Sequence, residues 1–155
     1  MNWFSATTSS QADVAADRAQ VWDVLTDPDA LADLTPLLRR IEVDGDLWRW
    51  CFTQVPLLGL AVTPAFTERM IFREKERIDY EHAPPEGSHE RFGVEGSYTL
   101  DDAADGTRLA VSMTVRVQLP LAKVAAPAVT RVMESVLART GDGFSRNFER
   151  RLGAA

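Results

Sequence analysis

The stretch TRLAVSMTVRVQL, residues 107–119, constrains the fold more than any other feature of the chain. Apolar residues occupy every second position from Leu109 to Leu119, and polar or small residues lie between them. This period of two predicts a long β-strand with one buried face. Such a strand is typical of an antiparallel sheet that is exposed to solvent on one face only. The apolar face must pack against another element, which we expect elsewhere in the sequence.

The last 30 residues predict this element, because their apolar residues recur at the four-residue spacing of a helix. Pro127 suits the first turn of this helix. Gly141 and Gly143 are unusual within it, since each costs about 1 kcal/mol relative to alanine. They indicate either room left beside the sheet or a helix that breaks near Arg139. The predicted stripe comprises Val129, Met133, Val136 or Leu137, Thr140, Phe144, Phe148 and Leu152.

Residues 2–14 predict a first strand, and two short helices follow it. Asp17 is the expected N-cap of the first helix. The Asp27-Pro28 step ends this helix, because a residue before proline avoids helical backbone. Pro28 then starts the second helix, which runs to about Leu34.

Six further strands are predicted before the terminal helix. The pair Asp44-Gly45 is a strong hairpin signal, so one strand ends near Val43 and the next carries Trp48, Trp50 and Phe52 on one side. The segment FTERMIFREKERIDYEH reads as two strands, the first with Phe66, Met70 and Phe72 on one face. Residues 90–100 alternate again, and DDAADG, residues 101–106, is expected to be a turn.

Composition narrows the function. The chain has 155 residues, which predicts a single domain, 1–155, and its net charge of −6 argues against nucleic acid as a partner. The single cysteine, Cys51, excludes an intramolecular disulfide and is expected to be a packed side chain. Residues 1–15 contain no secretory signal pattern. We therefore expect a cytoplasmic protein. His82 and His89 are the only histidines, and a metal site would need more ligands converging on one point. We therefore expect no metal and no cofactor.

The stretch from Trp50 to Thr67 contains no charged residue. Its length approaches that of a membrane-spanning helix. Pro56 and Pro64 would each remove a helical hydrogen bond, so a spanning helix is a poor interpretation. The stretch is instead expected to form two strand ends joined by a hairpin tip at VPLLGL.

The predicted order of one strand, two short helices, six strands and a long helix resembles the helix-grip fold of the START-like, or Bet v 1-like, superfamily. The segment ADRAQVWDVLTDPDALADLTPLL is similar to the helix pair of its bacterial polyketide cyclase/dehydrase and lipid-transport members. The segments GSYTLDDAADGTRLAVSMTV and GDGFSRNFERRLG are similar to their last hairpin and to the end of their terminal helix. The resemblance implies an α+β fold in which a curved antiparallel sheet of about seven strands wraps around the terminal helix. It also implies a deep cavity for a hydrophobic ligand between the sheet and that helix.

The inward faces of the predicted strands and of the terminal helix supply the candidate ligand-binding residues. Apolar pockets with a few convergent polar groups are how small-molecule sites usually look. The candidates are Trp50, Phe52, Phe66, Glu68, Met70, Tyr80, Tyr98, Met113, Val115, Met133, Val136, Leu137 and Phe144.

Glu68 is the anomaly among them, because strict alternation with Phe66 and Met70 would point a carboxylate inward. We expect instead that a bulge near Pro64 shifts the alternation, or that Glu68 lies in water at the rim. A shift of alternation would make Arg69 the inward group, able to hold a ligand carboxylate. If Glu68 does point inward, its pKa is raised and it becomes a candidate acid or ligand anchor.

In the fold that the chain resembles, the hairpin tip lies near one end of the terminal helix, at a common cavity mouth. The resemblance therefore implies that apolar residues at this tip and before the terminal helix form a gate. Packing of the hairpin leucines as ordinary core is the alternative. The candidate gate residues are Val55, Leu57, Leu58, Leu60, Leu119 and Leu121.

We expect a protein that binds a lipid, a quinone or a polyketide-like molecule, rather than an enzyme. The first alternative is a polyketide aromatase/cyclase, with Glu68, Tyr80 and Tyr98 as its inward candidates for catalysis. The second alternative is an accessory protein that contacts a membrane transiently, or a partner, through its apolar rim. The sequence leaves monomer and homodimer both open.

Overall fold

The computed structural model describes residues 1–153, and the elements follow the predicted order, except that residues 55–57 and 60–62 form two short strands of their own rather than the ends of the neighbouring long strands. Their bounds are β1 (Asn2–Val14), α1 (Arg18–Leu25), α2 (Pro28–Leu34), β2 (Leu38–Asp44), β3 (Leu47–Phe52), β4 (Val55–Leu57), β5 (Leu60–Val62), β6 (Ala65–Arg73), β7 (Arg77–His82), β8 (Phe92–Ala103), β9 (Gly106–Leu119), a single 3-10 turn (Lys123–Ala125) and α3 (Ala126–Gly153).

Seven strands form one curved antiparallel sheet in the order β1-β9-β8-β7-β6-β3-β2. β4 and β5 form a separate hairpin beside it. The two short helices lie between β1 and β2, and α3 covers the inner face of the sheet. The architecture is the helix-grip fold that the sequence predicts.

The two short helices begin and end where the sequence places them. Asp17 caps α1 with a full capping box, in which its carboxylate accepts from the N–H of Gln20 and the Gln20 side chain accepts from the N–H of Asp17. Asp27 caps α2 through the N–H groups of Asp29 and Ala30, and Pro28 opens that helix.

α3 is one continuous helix of 28 residues, so the break considered near Arg139 is not present. Gly143 is buried where the helix meets Pro36, and a Cβ on Gly143 would lie 2.5 Å from the Pro36 Cγ. Gly143 therefore allows α3 to approach Pro36 closely. It does not leave room for a ligand, which was one of the two interpretations of this glycine. A Cβ on Gly141 would meet nothing within 4 Å.

Side-chain hydrogen bonds tie α3 to both edges of the fold. Thr130 donates to the carbonyl of Ser5 on β1 at 3.1 Å. Asn147 donates to the carbonyl of Leu34 at the end of α2 at 3.0 Å. The helix thus crosses the inner face from the β1 edge to the α2 side.

Two apolar cores lie under this helix. The first joins α1, α2 and the inner faces of β3, β6 and β7, and Phe148 of α3 packs into it. The second joins the ends of β1 and β9 to β4 and to the start of α3, through Val129 and Met133. Phe92 and Val115 contact both cores and mark the boundary between them.

Two local expectations need correction. β8 continues to Ala103, because Asp101 and Asp102 pair with Arg108 and Thr107 of β9, so the predicted six-residue turn shrinks to the Ala103–Gly106 hairpin. Phe72 shares the inner face with Phe66 and Met70, as predicted, but it does not contact the terminal helix that covers this face. It packs against Trp22 and Trp48 at the α1 end of the sheet and remains 43% exposed.

Candidate ligand-binding site

The predicted inward residues divide into a packed group and a half-exposed group. Trp50, Phe66, Met70, Tyr80 and Met133 are buried. The remaining apolar and aromatic candidates are only half-buried, although they belong to the inner face of the sheet or to α3. They are Phe52, Tyr98, Met113, Val115, Val136, Leu137 and Phe144.

Glu68 points inward and is 2% exposed. Its strand pairs without interruption on both sides, with Trp48 of β3 and His82 of β7 directly opposite Glu68. The expectation of a bulge or of a rim position in water was therefore wrong. Arg69 points outward, between the carboxylates of Asp46 at 3.6 Å and Glu81 at 3.5 Å.

Burial raises the pKa of the Glu68 carboxyl well above its ordinary value of 4.5, because the charged form loses its hydration. The indole N–H of Trp50 is close enough to oppose this shift to a smaller extent. That N–H is nevertheless buried without a hydrogen-bond partner of standard geometry, so its contact with the carboxyl is long or bent. Glu68 is consequently a neutral acid well above pH 4.5.

Two tyrosines lie close together on the strands next to Glu68. The rings of Tyr80 and Tyr98 are 5.1 Å apart, centroid to centroid. The Tyr80 hydroxyl donates to the carbonyl of Ser112 at 3.3 Å. Burial is the largest cause that raises the pKa of both phenols, and the Glu68 carboxyl adds to it in each case once it is ionised. Both phenols therefore keep their protons at any physiological pH.

Tyr98 is more accessible than Tyr80. Tyr80 is buried, whereas Tyr98 is only half-buried. Met113 and Val115 on the neighbouring strand β9 are half-buried as well. The inner face of the sheet therefore keeps some accessible surface at these three residues.

Aromatic rings form one wall near Glu68. Phe66 stacks on Trp50, with centroids 6.3 Å apart and planes 15° from parallel. It also stacks on Phe52, at 5.9 Å and 28°. These nearly parallel rings present a flat, rigid surface next to the buried acid.

Sequence reasoning missed a second buried polar cluster, which is centred on Glu90. One carboxylate oxygen accepts from the backbone N–H of Thr67 at 2.8 Å and lies 2.9 Å from the His82 Nε2. The other accepts from the Thr67 hydroxyl at 2.7 Å. β7 pairs with β8 only as far as Tyr80 opposite Gly96, so Glu90 fills the place where the two strands diverge. No local sequence signal reveals this cluster, because Glu90 lies 23 residues from Thr67.

The candidate gate is mostly packed. Leu57 and Leu119 are buried in the second core, and Val55, Leu60 and Leu121 are half-buried. Leu58 is the exception. It occupies the hairpin tip with φ +49° and is 43% exposed.

Two surface grooves of about 430 Å³ each are present among residues 1–153. One lies on the outer face of the sheet, over Ser9, Ser97 and Ser112. The other lies beside the β4–β5 hairpin, next to Leu60 and Phe92. Neither groove is the enclosed chamber that the resemblance implies.

The remaining chemistry-bearing residues do not converge. Within residues 1–153, no three His, Cys, Asp or Glu side chains lie close enough together to hold a metal ion. Cys51 is buried, as expected. In the same residues no helix is both long and apolar enough to cross a membrane.

The curved sheet, the gripping helix and the half-open apolar interior define a helix-grip protein. Residues 5–149 match the family described as polyketide cyclase / dehydrase and lipid transport. The chain belongs to this family. No protein of curated function matches it in sequence.

Several solved structures share the fold. A START superfamily protein from Mycobacterium smegmatis has 18% identity and a TM-score of 0.67, with 96% of this chain and 97% of that chain covered. The Zhui aromatase/cyclase from a Streptomyces species has 15% identity and a TM-score of 0.66, with 97% and 98% covered. A protein from Thermus thermophilus has 15% identity and a TM-score of 0.70, with 97% of each chain covered. At these identities the likeness concerns the fold alone.

Proposed function

We propose that this protein binds a hydrophobic small molecule between the inner face of its sheet and α3. The half-exposed state of inner apolar residues carries this proposal. Met113 and Val115 on β9 and Leu137 on α3 retain accessible surface, although buried cores flank them on both sides. Protein interiors are normally packed to the density of organic crystals, so apolar groups left uncovered in an interior call for an occupant.

The total surface of the chain agrees with an open interior. The chain exposes 8757 Å². A compact monomer of 17.2 kDa is expected to expose about 7,800 Å². A ligand seated under α3 would cover part of this excess.

Family membership supports the same proposal at a coarser level. The family is described by polyketide cyclase or dehydrase activity and by lipid transport, both of which handle largely apolar molecules. We therefore propose a lipid, a quinone or a polyketide-like molecule as the ligand class.

Native mass spectrometry after incubation with a lipid extract tests the proposal. We expect the wild-type chain to retain a small molecule. Met113→Trp fills the inner space and should abolish this uptake, whereas Ser112→Trp, on the outer face of the same strand, should leave it unchanged. A wild-type chain that takes up nothing, or equal losses in both variants, would contradict the proposal.

Catalysis of an aromatase/cyclase type is a second candidate, favoured by the proximity of three protonated acids. Glu68 and Tyr98 can each donate to a carbonyl oxygen and so polarise it, which is one requirement of enolisation, whereas Tyr80 already donates to the carbonyl of Ser112. Enolisation can be followed as deuterium uptake by the methyl group of 2-acetylnaphthalene in D2O. Uptake that is faster with the wild-type chain than with Glu68→Leu would support this candidate, and equal rates would refute it.

Transient contact with a membrane is a third candidate, favoured by two exposed apolar side chains. Val124, just before α3, is 88% exposed, and Leu58 at the hairpin tip is 43% exposed. Apolar residues displayed at a rim are typical of an interaction surface. Co-sedimentation with phosphatidylcholine vesicles should be lost on Val124→Asp and kept on Ala104→Asp, a change in a distant exposed turn. Absence of wild-type co-sedimentation would remove this candidate.

A further inference from the structure

The interior near Glu68 has hydrogen-bond donors without acceptors. The Trp50 N–H is buried and unpaired, which is rare in folded proteins and calls for an explanation. The protonated acid of Glu68 is a second donor. Tyr98 supplies a third: its hydroxyl lies near that of Tyr80, but among the described residues it makes no hydrogen bond of standard geometry, and Tyr80 itself donates to the carbonyl of Ser112. A ligand that offers an acceptor would satisfy groups that the protein leaves unpaired.

Cations are kept out of this region. Every Lys and Arg among residues 1–153 is exposed, except Arg18 and Arg77, which are half-buried. Those two arginines pair with Asp102 and Asp79. A ligand carboxylate placed beside Glu68 would therefore meet no positive charge, and burying an unpaired charge is costly.

The titratable groups that face Glu68 do not alter this picture. Tyr80 and Tyr98 face it from β7 and β8, and both are neutral. His82 lies opposite Glu68 in the pairing of β6 with β7, and its ring contacts the Glu90 carboxylate. The inner face of α3 presents no titratable side chain among its buried residues.

We propose that the bound molecule presents a neutral carbonyl oxygen to the donors of Glu68, Trp50 and Tyr98. This inference rests on the binding function proposed above and names the ligand class. The stacked rings of Trp50, Phe66 and Phe52 provide a flat wall beside the donors. A planar conjugated ketone or quinone fits both features, whereas a fatty acid anion does not.

Three probes of nearly equal shape test this inference: 2-acetylnaphthalene with a carbonyl group, 2-ethylnaphthalene without a polar group, and 2-naphthoate with a negative charge. Their dissociation constants are measured by calorimetry on the full chain at pH 6. We expect the ketone to bind about tenfold tighter than the ethyl compound, the gain given by one or two net hydrogen bonds. We expect 2-naphthoate to bind at least tenfold more weakly than the ketone.

Variants assign the effect to the proposed donors. Glu68→Leu removes the acid, and Trp50→Phe removes the unpaired N–H together with part of the indole ring. Each should weaken binding of the ketone several-fold more than it weakens binding of the ethyl compound, which reports the lost ring contacts alone. Glu95→Leu, on the outer face of β8, is the control and should change neither. The carbonyl stretching frequency of the bound ketone should fall in the wild-type chain and fall less in both variants. As the pH rises and Glu68 ionises, the affinity for the ketone should fall in the wild type and stay constant in Glu68→Leu.

The outcomes separate the two proposals. Failure of all three probes to bind would overturn the proposed binding function itself. Binding of the ethyl compound without a preference for the ketone, or tightest binding of 2-naphthoate, would overturn the carbonyl inference and leave the binding function standing. If Glu68→Leu does not fold, Trp50→Phe alone decides, because an unchanged ketone affinity and frequency in that variant would overturn the inference.

Discussion

The substitution Glu68→Gln tests the buried acid in the absence of any ligand. The pKa of Glu68 is higher in the folded protein than in the unfolded chain, where it is near 4.5. The folded state therefore holds this proton more tightly. The stability that follows is fully present below about pH 4.5 and is lost as the pH rises through the folded pKa. Glutamine has nearly the same shape and does not titrate, so this pH dependence disappears in the variant.

The magnitude follows from linkage. Above pH 4.5 the unfolded chain ionises Glu68 while the folded chain does not, so the wild type loses about 1.4 kcal/mol of unfolding free energy per pH unit relative to the variant. The loss continues until the pH reaches the folded pKa. For a domain of this size, 1 kcal/mol corresponds to roughly 2–4 °C in the melting temperature. The melting temperature of the variant should thus rise by about 3–6 °C relative to the wild type with each pH unit.

Thermal unfolding followed by circular dichroism at half-unit steps from pH 4.5 to 8 measures this difference. Glu95→Gln is the matched control, because Glu95 is exposed on the outer face. The melting temperature of this control should change with pH just as that of the wild type does, across the whole range. If the melting temperature of Glu68→Gln also changes with pH as that of the wild type does, Glu68 ionises normally in the folded state and our description of a buried neutral acid is refuted.

Four further substitutions follow from local geometry, each measured by its unfolding free energy. Gly143→Ala should destabilise the fold by about 1–3 kcal/mol, because its Cβ would overlap the Pro36 ring, whereas Gly141→Ala, in open space, should stabilise by up to about 1 kcal/mol. Equal effects at the two glycines would contradict the close approach of α3 to Pro36. Leu58→Gly should stabilise by about 1 kcal/mol, since the tip requires a positive φ, and a clear loss would show that the leucine side chain is packed. Glu90→Ala should cost about 2–4 kcal/mol by leaving buried donors unpaired, and a neutral result would mean that water replaces the carboxylate easily.

The fold could be predicted because its signals are local. Asp17, Asp27 and Pro28 predict where α1 and α2 begin, because aspartate is favoured as an N-cap and proline is favoured in the first turn of a helix. The strand at residues 107–119 has a period of two that only a half-buried sheet satisfies. Such signals act within a few residues and do not depend on the rest of the chain.

Features that depend on contacts between distant segments could not be predicted in the same way. Gly143 is explained by Pro36, which lies more than a hundred positions earlier. Glu90 fills a gap that exists only because β7 and β8 diverge. Neither relation leaves a pattern in the sequence near the residue concerned.

At Glu68 the sequence pattern was right and our interpretation of it was wrong. Its alternation with Phe66 and Met70 indicated an inward side chain, and we set this pattern aside because burying a carboxylate is costly. The structure keeps the alternation, and the carboxyl is accommodated as a neutral acid. A residue type that prefers solvent but occupies a buried strand position is a candidate functional residue.

The position of a bound ligand tests our central claim most directly. In a sample with 13C-labelled methyl groups and bound 2-acetylnaphthalene, we expect intermolecular nuclear Overhauser effects from the ligand ring to the methyl groups of Met113, Val115 and Leu137. In our proposal these residues border the binding space between the sheet and α3. Contacts to the Ala110 methyl group on the outer face, with none to the three inner residues, would contradict the claim that this space is the binding site.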